Sequence, residues 1–204
     1  AYILHTGDGG ATWDVQAQVA SGPGAFSWID AADRQHVWAV GGYSAALRAV
    51  PNVDAGFIWH TADGINWTRQ TEPASGIVIG VDAVSANVAW AAGRQGVQRT
   101  LNGGAQWDYL PLFVTDANHV DSVDGGARVW VSGDSFTVKY TDKGLSPTLT
   151  VDDWVDLTPQ ELGSKVAYKV DFVDAQHGWI AGGAFGADPG GVLARTCDGG
   201  ASWK

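Results

Sequence analysis

The chain has 204 residues, 45% of them hydrophobic and only 17% charged, which suits a folded core and excludes a disordered segment. A formal net charge of −10 and a pI of about 4.6 argue against nucleic acid, whose phosphates need Lys and Arg, and against an anionic membrane surface. The single cysteine, Cys197, leaves no internal disulfide and no cysteine-built metal centre, and no apolar run reaches the roughly 18 residues of a spanning helix.

Residue 1 leads directly into a strand, so a secretory leader is expected to be removed or to lie outside this sequence. Thr6 to Trp13 then reads TGDGGATW. This is turn chemistry: Asp8 can bond backbone two residues on, Gly9 and Gly10 permit positive φ, and Thr6 supplies a hydroxyl to local donors. Trp13 is expected to plug an apolar layer beside the turn. The unit returns as Thr61, Asp63 and Trp67; as Thr100, Asn102, Gly104 and Trp107; as Thr141 and Asp142, reaching Trp154 after an insertion; and as Thr196, Asp198, Gly200 and Trp203. The steps between the acidic or amide positions are 55, 39, 40 and 56 residues.

Other segments ride on the same period. Phe26–Asp30, Ile77–Val84, His119–Val123 and Tyr168–Val173 read as a first strand, the last with period-two alternation. Short apolar strands around Trp38, Trp90, Trp130 and Trp179 follow, each ending in glycine, where strands pack close to a crowded axis. A third strand ends in the threonine of each turn, and a fourth leaves it, as in Trp107–Leu110. One period is therefore four antiparallel strands, and the expected fold is an all-β propeller of four-stranded blades. Residues 1–204 hold four to five blades, with boundaries near 22, 74, 114 and 164, as one domain or a segment of a larger propeller. Only Pro159–Gly163 suggests a turn of helix. Long loops at Tyr43–Gly56 and Ala184–Gly191, and the insertion Leu145–Asp153, are natural places for binding.

No catalytic set emerges. Nine of the 11 tryptophans occupy repeat positions and read as core; Trp28 and Trp59 read as blade packing or a ligand platform. The histidines lack metal-binding spacing, and no nucleophile elbow, phosphate loop or EF-hand is present, so neither metal nor cofactor is expected. Asp152-Asp153 reads as a solvated loop, and calcium is conceivable at the acidic loops around Asp54, Asp152 or Asp188, though without EF-hand spacing. Arg99 and Arg195 share the slot before the strand-ending threonine, with Tyr140 in the same slot and Arg94 nearby. These four are the candidate partner-binding residues.

The pattern S/T-x-D-x-G-x-S/T-W resembles the Asp-box, or BNR repeat, of sialidase-like propellers. There the boxes lie on the outer rim, away from catalytic centres. Neither the Arg-Ile-Pro motif nor the Tyr/Glu pair of sialidases is evident. The whole period, clearest from Asp171 through Trp203, resembles the photosystem II stability/assembly factor family. That resemblance implies a non-catalytic scaffold outside the cytoplasm (periplasmic, lumenal or secreted). It also implies a protein partner, as an accessory or assembly subunit of a membrane complex, without insertion into the membrane. The alternative is an Asp-box glycoside hydrolase or a carbohydrate-binding propeller.

Overall fold

The computed structural model describes residues 1–18, 24–43, 55–70, 76–94, 96–112, 116–159, 165–184 and 190–204. The expected boundaries near 22, 74, 114 and 164 fall outside these residues, as do most of the two long loops, Asp54, Asp188, and the PQELG segment beyond Pro159. Regular structure among the described residues is β-strand with short 3-10 turns. β1 (Tyr2–His5) pairs with β2 (Asp14–Gln18). Four strands then form each of three antiparallel sheets: β3 (Ala25–Ala31), β4 (Val37–Tyr43), β5 (Ala55–Thr61) and β6 (Trp67–Gln70); β7 (Val78–Ala83), β8 (Ala89–Gly93), β9 (Gly96–Thr100) and β10 (Asp108–Leu110); β11 (Ala117–Val123), β12 (Arg128–Gly133), β13 (Val138–Thr141) and β14 (Val155–Asp156). The last sheet has β15 (Val166–Phe172), β16 (Gly178–Gly183) and β17 (Gly191–Thr196). Lys204 exchanges two backbone bonds with Arg195, the start of a further pairing.

Each of the three four-stranded sheets packs on the next through three layers. The innermost rests on an aspartate in each first strand: Asp30, Asp82, Asp121 and Asp171 stand opposite Trp38, Trp90, Trp130 and Trp179. Asp30 accepts the Ala83 N–H at 2.8 Å, Asp82 the Ser122 hydroxyl at 2.5 Å, and Asp121 the Phe172 N–H at 2.5 Å. The middle layer is apolar. Trp38, Val40 and Ile58 meet Val78 and Val81; Trp90, Ala92 and Val97 meet Ala117 and Val120; Trp130 and Val138 meet Ala167 and Val170. The outermost layer clasps a glycine carbonyl in the next sheet's turn. Gln16 donates to Gly64, Gln70 to Gly103, Arg99 to Gly144 and the Trp130 indole to Gly199, at 2.7–2.9 Å.

Close approach explains the glycines of the second strands. A Cβ on Gly41 would lie 2.1 Å from the Ala25 carbonyl oxygen, and one on Gly182 would lie 2.2 Å from that of Val166. The turns follow their sequence. The Asp8 carboxylate accepts from the Thr6 hydroxyl and from the N–H and hydroxyl of Thr12; Asp198 does the same with Thr196 and Ser202. The fourth turn differs: Asp142 is exposed, while Asp153 accepts from Thr150 and pairs with Lys143 at 2.6 Å. Trp13 also departs from expectation. It is exposed, whereas Trp67 and Trp107 lean on Gln16 and Gln70 of the preceding sheet; β1 and β2 have no preceding sheet among the described residues.

Candidate partner-binding surface

The repeat distributes the predicted residues over successive sheets rather than gathering them in one patch. Arg99 is 2% exposed. Its guanidinium donates to the Gly144 and Ser146 carbonyls and to Asp108, and lies 5.6 Å from the centre of the Trp90 ring. A planar fork suits several fixed acceptors, so Arg99 organises the 145–153 insertion and is not presented to a partner. Tyr140 is half-buried, its ring 4.9 Å from Trp130, and burial raises its hydroxyl pKa. Arg94 lies beside Asp116 at 3.8 Å. Arg195 is exposed on β17, opposite Trp179. The arginine patch therefore does not form, because a position that recurs in every blade is carried to a different sheet each time.

What converges is a set of residues on the innermost strands. Each of β3, β7, β11 and β15 carries a bulge near its start. The residues just after it are Trp28, Gly80, His119 and Lys169. With no side chain at Gly80, Trp28 reaches His119 edge-to-face at 5.0 Å, and the Lys169 ammonium sits 4.9 Å from the centre of the Trp28 ring. Burial, then the Lys169 charge, lowers the His119 pKa to about 4 and keeps its ring neutral. Next to this cluster, β1 and β3 border an open groove of about 550 Å³, lined by Tyr2, Leu4, Phe26, Trp28 and Ile29 among others. β1 has β2 on one edge and no strand on the other among the described residues.

The inner aspartates are residues that the sequence reading passed over. Burial, then the Asp121 and Asp30 charges, raises the Asp82 pKa to about 7 against the opposing bond from Ser122. Burial raises that of Asp121 to about 6. Raised carboxylates can mark acid catalysis, but these two bond the next strand rather than facing a cleft. Among the described residues, no group of three His, Cys, Asp or Glu side chains could hold a metal ion, and no helix is long and apolar enough to cross a membrane.

No protein-family model matches the chain, and no curated protein matches it. Solved structures do. A structure described as YCF48 bound to D1 peptide superposes with a TM-score of 0.64 at 21% identity, over 98% of this chain and 59% of that one. YCF48 from Cyanidioschyzon merolae gives 0.66 at 17% identity, over 98% and 65%. The chain is a β-propeller. It spans about three-fifths of the length of these two structures. A GH74 xyloglucanase from Xanthomonas campestris shares the propeller fold too, with a TM-score of 0.63 at 12% identity over 88% of this chain and 30% of that one.

Proposed function

We propose that this propeller is a non-catalytic scaffold that binds a protein partner outside the cytoplasm, as an accessory or assembly subunit of a membrane complex. The observation that carries the reading is the break in the repeat on the innermost strands, where Trp28, His119 and Lys169 stand at matching positions and the Trp28 ring meets both of the others. Trp28 is 36% exposed, and tryptophan is among the side chains that dominate protein recognition. The likeness to a propeller solved with a bound peptide supports the same use. The test is cross-linking mass spectrometry on complexes captured from source membranes, comparing wild type with Trp28→Ala. Cross-links to one subunit, lost in the variant, are the expected result; equal capture by both proteins would remove Trp28 from the reading.

A second reading rests on the xyloglucanase likeness and on Trp28 and Tyr2 at the groove, since aromatic faces also stack on sugars. Binding and hydrolysis of xyloglucan oligosaccharides, measured by calorimetry and product analysis, distinguish the two. A hydrolase needs two carboxylates roughly 5–9 Å apart across the bond it cuts, and none of the residues named above as lining the groove is acidic.

A further inference from the structure

Asn102 takes the place in the turn between β9 and β10 that Asp8, Asp63 and Asp198 take in theirs. Its Oδ1 accepts the Thr100 hydroxyl at 3.1 Å and the Gln106 N–H at 2.9 Å. Asp8 accepts the same pair from Thr6 and Thr12 at 2.8 and 2.9 Å, and Asp198 from Thr196 and Ser202 at 2.7 and 2.9 Å. Asn102 Nδ2 donates to none of the described residues, so the amide uses only its acceptor half. A carboxylate would receive the same donors as stronger, charge-assisted bonds. At Asp198 the Ser202 hydroxyl, then the Ser202 N–H and the Thr196 hydroxyl, pull the pKa down to about 2. Asn102 is also exposed, and it is the only one of the five asparagines that precedes a glycine. Gly103, with no Cβ, leaves the carboxamide open to attack by its own backbone nitrogen.

We propose that Asn102 is a site of spontaneous deamidation, and that the reaction gives the β9–β10 turn the carboxylate of the first and last turns. The Gly103 nitrogen loses its proton and bonds to Asn102 Cγ; the Cγ–Nδ2 bond breaks and ammonia leaves, giving a five-membered imide. Water then opens the ring. Breaking the bond from the Gly103 nitrogen to Cγ gives aspartate. Breaking its bond to the Asn102 carbonyl carbon gives isoaspartate, with Cγ now in the main chain. The fold bears on both steps. The Gly103 N–H donates to the Asn87 carbonyl at 2.9 Å, so attack waits for the turn to open, and the folded chain reacts more slowly than the unfolded one. The Gly103 carbonyl accepts from Gln70 at 2.9 Å, and the Gly104 N–H donates to the Thr100 hydroxyl at 2.8 Å. An extra methylene in the main chain shifts both glycines from these partners, whereas aspartate keeps them. Both products re-form the imide, so the folded turn draws material toward aspartate and gains one negative charge.

Peptide mapping by mass spectrometry, with fragmentation that separates the two isomers, tests this on the full chain aged at mildly alkaline pH, folded and in urea. In the folded chain Asn102 is expected to convert several-fold faster than Asn66, Asn87 or Asn118. The ratio of aspartate to isoaspartate is expected to be several-fold higher in the folded chain than in urea. Asn102→Gln, whose longer side chain closes the ring far more slowly, should stay unmodified at this position. Asn102→Asp, made directly, is expected to unfold at a higher urea midpoint than wild type at pH 7, and to lose that advantage as pH falls from about 4 toward 2. An Asn102 that persists in the folded chain as long as the other three asparagines overturns the proposal. So does an isomer ratio that folding leaves unchanged, or an Asn102→Asp variant less stable than wild type at pH 7.

Discussion

Replacing Asp82 by Asn probes the inner layer directly. Asn keeps a side-chain carbonyl for the Ser122 hydroxyl but cannot ionise. In the folded chain the Asp82 pKa stands at about 7, against an ordinary value of 3.8. The folded state therefore holds a proton that the unfolded state releases, and stability falls as pH rises from about 4 through 7. About three units of difference correspond to about 4 kcal/mol at full ionisation, and local relaxation brings this to roughly 2–4 kcal/mol. Asp82→Asn is expected to exceed wild type in stability by that amount at pH 8 and to converge with it near pH 4. Urea unfolding of both proteins at several pH values measures the difference. Comparing variant with parent also cancels His60 and His119. Burial lowers both to about 4, so their contribution runs the other way: it is present above about 6.5 and lost as pH falls toward 4. A variant less stable than wild type at pH 8, or a difference constant across pH, would refute the reasoning.

Two further predictions concern the other layers. Arg99→Ala leaves the Gly144 and Ser146 carbonyls without their donor; it is expected to cost about 2–4 kcal/mol in urea unfolding, and an unchanged midpoint would show that Arg99 is not the clasp of the insertion. Trp130→Ala removes a ring stacked 3.8 Å from Phe172 and bonded to Gly199, at roughly 3–5 kcal/mol. Trp179→Ala, at the same repeat position but 38% exposed in this chain, should cost about 1 kcal/mol or less; equal losses for the two would mean that the following sheet contributes little to burying this position.

The fold was legible because blades repeat their local chemistry. Turn residues around Asp8 and Asp198, the glycine after each second strand, and alternation in Tyr168–Val173 all report backbone geometry that neighbouring residues impose. The packing between blades was only half legible. Asp30, Asp82, Asp121 and Asp171 each follow Ile or Val and precede the second-strand tryptophan by eight or nine residues, so the signal was present. Without the register, however, these residues looked like part of an acidic surface. Gln16 and Gln70 gave less warning, since a glutamine in a strand implies no particular acceptor. Arg99 and Arg195 show the limit most clearly. The sequence places them in one slot, yet one is buried against a carbonyl-rich insertion and the other is open, because the difference lies in what packs on top.

That contrast also bears on where function resides. Each of the three four-stranded sheets presents an inner aspartate acceptor, a tryptophan and an outer donor to the next, which answers with an inner donor, small apolar residues and a glycine carbonyl. The stacking is therefore directional, and each repeated residue is consumed in holding its neighbour. Recognition has to come from positions where the repeat is broken. The innermost strands break it at one level, where Trp28, Gly80, His119 and Lys169 replace any common residue, and the Gly80 gap lets Trp28 cross to His119. A partner that covers Trp28 would touch a ring that links β3 to both β11 and β15, so binding there is expected to stiffen the stack of blades as well as occupy its surface.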